Sequence, residues 1–260
     1  MAPAFAAVGA MAGLCAGLFG IGGGMIIVPA LVLLLPAYDV APAILTQVAV
    51  ASSLACISII SINSAWSHHR RGAVRWPTVW RMVPGLLLGG VAGAAIAHYL
   101  PSLALQRLVG TFALLAALRM VLGWQTGSRR TLPGTTGLFT AGGIIGALSS
   151  LVGIGGGTLT VPFLEWCDTP MHQAVGTSSA CGAPIAWAGV AGFMLTGWHV
   201  AGTGAYSLGY VSLPAFVGIV AGSALFTPLG AQLAHRLPVR LLKQIFAILL
   251  ATVGVRMWLG

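Results

Sequence analysis

The chain has 260 residues, of which 58% are hydrophobic and only 6% are charged. Because soluble domains carry about 25% charged residues, this composition excludes an ordinary water-soluble globule and predicts a polytopic helical membrane protein. The net charge of +9 comes from arginines and lysines in short loops between apolar segments. That pattern sets membrane topology, so we expect the lipid bilayer and not nucleic acid as a partner.

The apolar segments fall into two sets of four, in chain order. They lie at 3–36, 41–65, 77–99, 104–124, 134–166, 170–196, 206–234 and 238–259. We therefore expect an all-α membrane fold with a first repeat at 1–125, a polar connector at 126–136 and a second repeat at 137–260. The four cysteines show no CxxC pairing, so we interpret them as small buried residues and expect no metal site and no cofactor.

The first segment of each repeat contains a run of glycines. Residues 20–24 read GIGGG and are followed by Val28-Pro29, while residues 153–157 read the same and are followed by Val161-Pro162, a constant offset of 133. Each glycine weakens a helix by about 1 kcal/mol relative to alanine. The tracts therefore predict a break between two half-helices in each repeat, with the two breaks facing one another at mid-membrane.

Loop charges predict that the repeats are inverted. The loop after the second segment holds Arg70, Arg71 and Arg75, whereas its counterpart at 197–207 has no lysine or arginine. The next pair of loops has the opposite bias, since 101–105 is uncharged and its counterpart carries arginines and a lysine at 236, 240 and 243. Cytoplasmic loops collect these cations, so equivalent loops with opposite bias belong on opposite faces.

Inversion requires an odd number of crossings per repeat, which four segments do not give. Met25 to Leu35 covers about 16 Å, too short for a hydrocarbon core of about 30 Å. We therefore interpret each glycine-broken segment as a re-entrant helix pair, followed by three transmembrane helices. A fully crossing first segment is the alternative, and it leaves the inversion argument intact.

The paired breaks predict an anion-binding site without basic side chains. A half-helix that starts at mid-membrane exposes N–H groups and the positive end of its dipole. The candidate backbone donors belong to six glycines: Gly22, Gly23, Gly24, Gly155, Gly156 and Gly157. The candidate side-chain ligands come from the second segment of each repeat: Thr46, Gln47, Thr177 and Ser178. The competing interpretation is that the glycines serve close helix packing and the hydroxyls bond within their own helices.

Other polar residues are weaker candidates. His98 is interpreted as an interfacial residue, and Arg119 and Arg256 as side chains that extend to the membrane surface from span ends. Glu165 and Asp168 are the acids of the second repeat, and both are expected near the inner surface.

The duplicated GIGGG tract with its following Val-Pro resembles the TauE/SafE sulfite exporter family, also called the four-toluene-sulfonate uptake permease family. The loop from His69 to Trp76 and the Gly176-Thr177-Ser178 step look like family features too. The resemblance implies secondary transport of sulfite or a small sulfur-containing organic anion across the bacterial inner membrane, by alternating access. Leu45-Thr46-Gln47 departs from the Gly-Thr-Ser that the family pattern expects in the first repeat.

Three other functions remain open from the residues alone. A membrane enzyme needs an oriented base or nucleophile, and three acids in the whole chain provide little material. An anion channel would differ from a transporter by its conductance. A cation-coupled carrier of another small anion would use a proton or sodium as the coupling ion. Homo-oligomerisation is left open.

Overall fold

The computed structural model describes residues 2–19, 23–122, 131–204, 206–234 and 239–259. These ranges are helical apart from two short 3-10 turns, their connecting loops and a two-stranded ribbon, so the expectation of an all-helical membrane protein is confirmed. Parts of the sequence named above lie outside the described ranges: residues 20–22 of the first glycine tract, residues 126–130 of the polar connector, and Arg236.

Ten α-helices are described, in two sets of five. The first set is α1 (Ala2–Phe19), α2 (Gly24–Leu34), α3 (Leu45–Arg70), α4 (Trp76–Tyr99) and α5 (Ser102–Leu122). The second set is α6 (Thr135–Val152), α7 (Gly157–Trp166), α8 (Met171–Gly197), α9 (Leu213–Ala234) and α10 (Val239–Leu259). Single-turn 3-10 helices cover Leu35–Tyr38 and Pro42–Ile44, and β1 (Ser207–Leu208) pairs with β2 (Val211–Ser212).

Five helical segments in the described ranges are long and apolar enough to cross a membrane. They are Pro42–Arg70, Trp76–Tyr99, Ser102–Arg119, Thr135–Val152 and Met171–Gly197. Shorter apolar helices lie between them, and α2 and α7 have only 11 and 10 residues. At 1.5 Å per residue these two helices cover about 15 Å, half of a typical hydrocarbon core.

Helix packing repeats between the two sets. α1 packs against α9, and the equivalent pair in the other set, α6 and α4, packs in the same way. α3 packs against its own equivalent, α8, and α5 packs against α10. Glycines permit the close approach: a Cβ atom on Gly85 or Gly89 of α4 would collide with the backbone of α6 at Phe139 or Gly143.

Equivalent helices run in opposite directions where they meet. On the α3–α8 pair, Ser64 of α3 bonds Ser179 of α8. Leu54 lies ten residues before Ser64 and contacts Gly189, which lies ten residues after Ser179. On the α5–α10 pair, the Gln106 side chain bonds the Met257 carbonyl, and Gly110 lies against Gly254. Residue numbers increase along one helix as they decrease along its equivalent, so the two helices of each pair pack antiparallel.

α6 and α8 both run parallel to α4. Gly85 and Gly93 of α4 contact Phe139 and Ala147 of α6 in rising order. Gly90 lies against α8 at 185–189, and residues 91 and 94 lie against Gly192. Since α6 and α8 share a direction, the stretch through α7 brings the chain back to the end of the bundle where α6 began.

The start of α9 differs from the expectation. Residues 206–212 were expected in an apolar span that began at 206, but the helix begins only at Leu213. Gly209 has a φ of +56° and closes the β1–β2 turn, which brings the buried Tyr210 ring against Gly197 and its hydroxyl within 2.9 Å of His98 Nδ1.

Arg119, which was expected to extend to the surface from a span end, makes an ion pair. Its guanidinium lies 3.2 Å from the Glu165 carboxylate, and both side chains are about one-third exposed. The pair joins α5 of the first set to α7 of the second. Val32 holds the position that corresponds to Glu165 in the first repeat, so this ion pair has no equivalent there.

Candidate functional site

The two glycine tracts lie side by side. A Cβ atom on Gly24, the first residue of α2, would be 2.7 Å from the carbonyl oxygen of Gly153 and 3.1 Å from the Cα of Ile154. The same Cβ position is 2.7 Å from Ile57 on α3. The helical backbone is broken at both tracts. The first break separates α1 from α2 and includes Gly23 with a φ of +70°, and the second separates α6, which ends at Val152, from α7.

The second tract lies beside the middle of the α3–α8 pair. Gly153 ends α6 with a φ of +74°, and its N–H and that of Ile154 both donate to the Ser149 carbonyl. Beyond it, Gly155 lies against Ile57 of α3, and Gly156 lies against Ile185 and Gly182 of α8. These contacts put the start of α7 near the midpoint of both long helices.

Hydrogen-bond donors without partners collect at the second tract. The backbone N–H groups of residues 155–158 have no acceptor within the described ranges, as the geometry of a helix start dictates. Four hydroxyls within four residues of the tract in sequence are buried and unpartnered in the same ranges: Ser149, Ser150, Thr158 and Thr160. The Thr160 hydroxyl is 3.0 Å from the Cβ position of Gly156, beside these amides.

The first tract lacks those hydroxyls. Subtraction of 133 from 149, 150, 158 and 160 gives the equivalent residues of the first repeat, which are all apolar: Ala16, Gly17, Met25 and Ile27. Met25 and Ile27 are buried. The two tracts adjoin, and the unpartnered hydroxyls next to them in sequence belong to the second repeat, while Ser53 of α3 already donates to the Gly153 carbonyl at 2.8 Å.

No charged side chain is buried in the described part of the chain. The buried polar residues there are serines, threonines and Gln47. The donors at the second tract therefore act without a nearby fixed charge, in surroundings that contain Ile57 and Ile185. In such a setting an unpaired polar group costs several kcal/mol, so a site of this kind favours a guest rich in acceptor oxygens.

Thr46 and Gln47 lie away from the tracts, at the start of α3. The Thr46 hydroxyl is 2.9 Å from that of Ser102, and the Ser102 oxygen accepts the Thr46 N–H. The Gln47 amide donates to the Leu100 carbonyl at 2.7 Å. Both side chains therefore bond the α4–α5 junction, about ten residues along α3 from Ile57.

Thr177 bonds at the opposite end of the bundle from Thr46. Its hydroxyl accepts the Arg75 N–H at 3.0 Å, and a Cβ on the neighbouring Gly176 would be 2.5 Å from the Ala73 carbonyl. The Gly-Thr step thus packs α8 against the α3–α4 loop. The buried Ser178 hydroxyl has no partner among the described residues and lies between this end and the second tract.

Several polar residues were not predicted as candidates. Ser61 of α3 lies 2.9 Å from the Cβ position of Gly182, and Ser64 donates to Ser179 at 3.2 Å. These serines line the α3–α8 contact between the tract and the Arg70 end of α3. A usable signal was the difference between the repeats, since Thr158 and Thr160 are polar where the first copy has Met25 and Ile27.

Comparison with known proteins gives one family over nearly the whole chain. The family described as sulfite exporter TauE/SafE matches residues 5–257. A probable membrane transporter protein of Haemophilus influenzae is 39% identical over 253 residues, which cover 97% of this chain and 96% of that protein. A probable membrane transporter protein of Methanocaldococcus jannaschii is 26% identical over 261 residues, covering 99% and 95%. No solved structure matches this chain.

The family and the relatives indicate a multi-pass membrane transporter and not an enzyme. The suspected resemblance is confirmed by a match that includes both glycine tracts and all but the ends of the chain. The chain belongs to the TauE/SafE sulfite exporter family.

Proposed function

We propose that this protein is a secondary transporter, and most simply an exporter, of sulfite or a small sulfur-containing organic anion. The observation that carries the proposal is the group of unpartnered donors at the start of α7: the N–H groups of residues 155–158 and the buried hydroxyls of Thr158 and Thr160. Sulfite and sulfonates present several acceptor oxygens around one sulfur atom, which suits donors that converge from a helix end and its first turn.

The anion is held chiefly by the second repeat. Gly155, Gly156 and Gly157 have no side chains that block their amides, and the α7 dipole adds about half a positive charge at this end. Gly24 of the first repeat adjoins the tract through Gly153, and Gly22 and Gly23 belong to the same glycine run. We assign Gly24 to bringing the first repeat against the site, and the first repeat supplies no hydroxyl ligand because Met25 and Ile27 replace the two threonines there.

The four side-chain ligands expected from the sequence divide into two kinds. Ser178 stays a candidate ligand because its buried hydroxyl is unpartnered among the described residues. Thr46, Gln47 and Thr177 engage the α4–α5 junction or the α3–α4 loop. We assign these three to holding the ends of α3 and α8, a positioning role for the helices that flank the site.

Transport proceeds by alternating access between inverted repeats, 1–125 and 137–260. Support comes from the antiparallel contacts of α3 with α8 and of α5 with α10, since an axis in the membrane plane reverses equivalent helices. The return of the chain between α6 and α8 supports a re-entrant α6–α7 pair. Rocking of one repeat against the other would open the donors at α7 to each face in turn, in the inner membrane of a bacterium, with a proton or sodium as the coupling ion.

The experiment is a binding panel on purified protein in detergent. Sulfite, thiosulfate and a series of sulfonates are titrated against the wild type and Thr160→Val, with Thr140→Val as the matched control because the Thr140 hydroxyl is exposed on α6 and bonds only Gly137. We expect saturable binding of at least one of these anions, a loss of about tenfold or more in Thr160→Val, and no change in the control. Equal affinity in all three proteins, or no binding of any of these anions, contradicts the proposal.

A further inference from the structure

The ends of α3 and α4 that flank the α3–α4 loop carry a strip of aromatic rings, and arginines without carboxylate partners among the described residues lie nearby in sequence. The rings of Trp66, His69, Trp76 and Trp80 follow one another with centroid distances of 5.9, 5.5 and 6.1 Å. Trp76 Nε1 donates to His69 Nδ1 at 3.0 Å, which fixes the middle of the strip. Trp66 and Trp80 are 62% and 66% exposed, so the strip forms an outward-facing surface.

The charges beside this strip have no carboxylate partners among the described residues. Arg70 and Arg71 end α3, Arg75 precedes α4 and Arg81 follows Trp80. Within the described ranges the ion pair between Arg119 and Glu165 is the one salt bridge, and it lies on other helices. Four positive charges are thus left uncompensated within twelve residues of sequence, at the end of two long apolar helices.

Stacked indoles and unpaired guanidiniums together match the chemistry of a lipid headgroup region. Tryptophan prefers the membrane interface, where its ring lies among the glycerol and upper acyl groups. Guanidinium forms paired hydrogen bonds with phosphate and keeps its charge at any working pH. Basic clusters at a helix end gain affinity from the net charge of anionic lipids.

We propose that Arg70, Arg71 and Arg81, with the Trp66–His69–Trp76–Trp80 strip, form a binding site for the headgroup of an anionic phospholipid. The arginines bind the phosphate, and the exposed indoles pack on the glycerol backbone and the first methylenes of the acyl chains. The occupant is a membrane lipid rather than a soluble phosphate because the strip offers a large apolar surface that a free phosphate leaves uncovered. This site is separate from the tract at α7 and does not depend on the transported anion.

The loop is also coupled to the helix that flanks the transport site. The N–H of Arg75 donates to Thr177 on α8, and Ala73 packs on Gly176. A lipid bound to the neighbouring arginines would therefore stabilise the packing of the α3–α4 loop on the start of α8.

The test uses the purified full chain and short-chain phosphatidylglycerol and phosphatidylcholine, with bound lipid measured by native mass spectrometry. Arg70, Arg71 and Arg81 are changed together to glutamine; Arg107→Gln is the control, because Arg107 is an arginine beside Trp258 at the other end of the bundle. Each basic residue near an anionic lipid contributes about fivefold, so we expect about a hundredfold weaker phosphatidylglycerol binding in the triple variant and a wild-type value in Arg107→Gln.

Three outcomes would overturn the lipid site. The first is equal retention of phosphatidylglycerol and phosphatidylcholine by the wild type. The second is phosphatidylglycerol binding by the triple variant at wild-type strength. The third is complete competition by soluble glycerol phosphate at the lipid's own concentration, which would assign the arginines to a soluble anion. Size-exclusion elution at the wild-type volume establishes that the triple variant is folded.

Discussion

Gly24 of the first glycine tract packs directly on Gly153 of the second, with 2.7 Å between the Gly24 Cβ position and the Gly153 carbonyl oxygen. Two segments 129 residues apart in sequence thus meet through bare backbone. This contact holds the first tract against the second next to the start of α7, where the unpartnered amides lie.

We expect Gly24→Ala to separate the tracts. The new methyl group would press on the Gly153 carbonyl and on Ile57, and overpacking of this kind costs about 1–3 kcal/mol. Thermal unfolding in detergent should show a lower midpoint and transport should fall. Gly134→Ala is the control, since a Cβ there meets nothing within 4 Å, and its midpoint should stay at the wild-type value. A stable and fully active Gly24→Ala would contradict the close contact.

Thr177→Val should lower stability and leave anion affinity in the folded protein unchanged. The variant removes the acceptor of the Arg75 N–H, a loss of about 0.5–1.5 kcal/mol. Thermal unfolding and anion titration on the same sample separate the two effects. A variant with normal stability and no anion binding would indicate that Thr177 contacts the anion, and would contradict its positioning role.

Gln47→Leu should act at the α4–α5 junction. The variant removes the donor to the Leu100 carbonyl and leaves that acceptor unsatisfied. We expect the free energy of unfolding to fall by about 1–3 kcal/mol, measured as a lower unfolding midpoint. Anion affinity should stay within about twofold of the wild type. A tenfold weaker affinity at unchanged stability would place Gln47 in contact with the anion instead.

Single cysteines should report opposite membrane faces for equivalent loops. Gly72→Cys on the α3–α4 loop and Ala201→Cys on the α8–α9 loop both lie at exposed positions. A membrane-impermeant thiol reagent should label position 201 in intact cells and position 72 only after disruption, because the proposed inversion puts the arginine-rich α3–α4 loop inside and the α8–α9 loop outside. Labelling of both positions from the same side would rule out the inversion. Cys56, Cys167 and Cys181 are buried, and the unmodified protein, which retains all four native cysteines, measures the background labelling.

The sequence predicted the class of the fold and the helix breaks at the two glycine tracts. A run of glycines in apolar sequence favours a helix break because each glycine weakens the helix, and α2 and α7 do begin within the tracts, at Gly24 and Gly157. The start of α9 was missed because residues 206–212 are largely apolar, so hydropathy alone did not distinguish a ribbon closed by Gly209 from the first turns of a span.

The side chains around the tract were harder to predict than the tract itself. Thr46 and Thr177 occupy similar positions in the two repeats and were expected together, but α3 and α8 are antiparallel and put them at opposite ends. The inversion predicted from the loop charges implies this separation, so the expectation of one shared site conflicted with the expected direction of the two helices. Thr158 and Thr160 were not predicted because the first repeat has no polar residue at their positions. Only the packing of the helices shows that their hydroxyls are buried and unpartnered among the described residues.

The most direct test of the anion site is flux through Gly156→Val in proteoliposomes. The added side chain would press on Ile185 and on the Thr160 hydroxyl, which lie 2.8 and 3.0 Å from the Gly156 Cβ position, and would cover the unpartnered amides beside them. We expect saturable counterflow of radiolabelled sulfite, or of the sulfonate selected by the binding panel, in the wild type. Gly156→Val at equal incorporation should carry less than about a tenth of that flux, and Gly134→Val should match the wild type. Full flux through Gly156→Val would contradict the claim that an anion passes the start of α7.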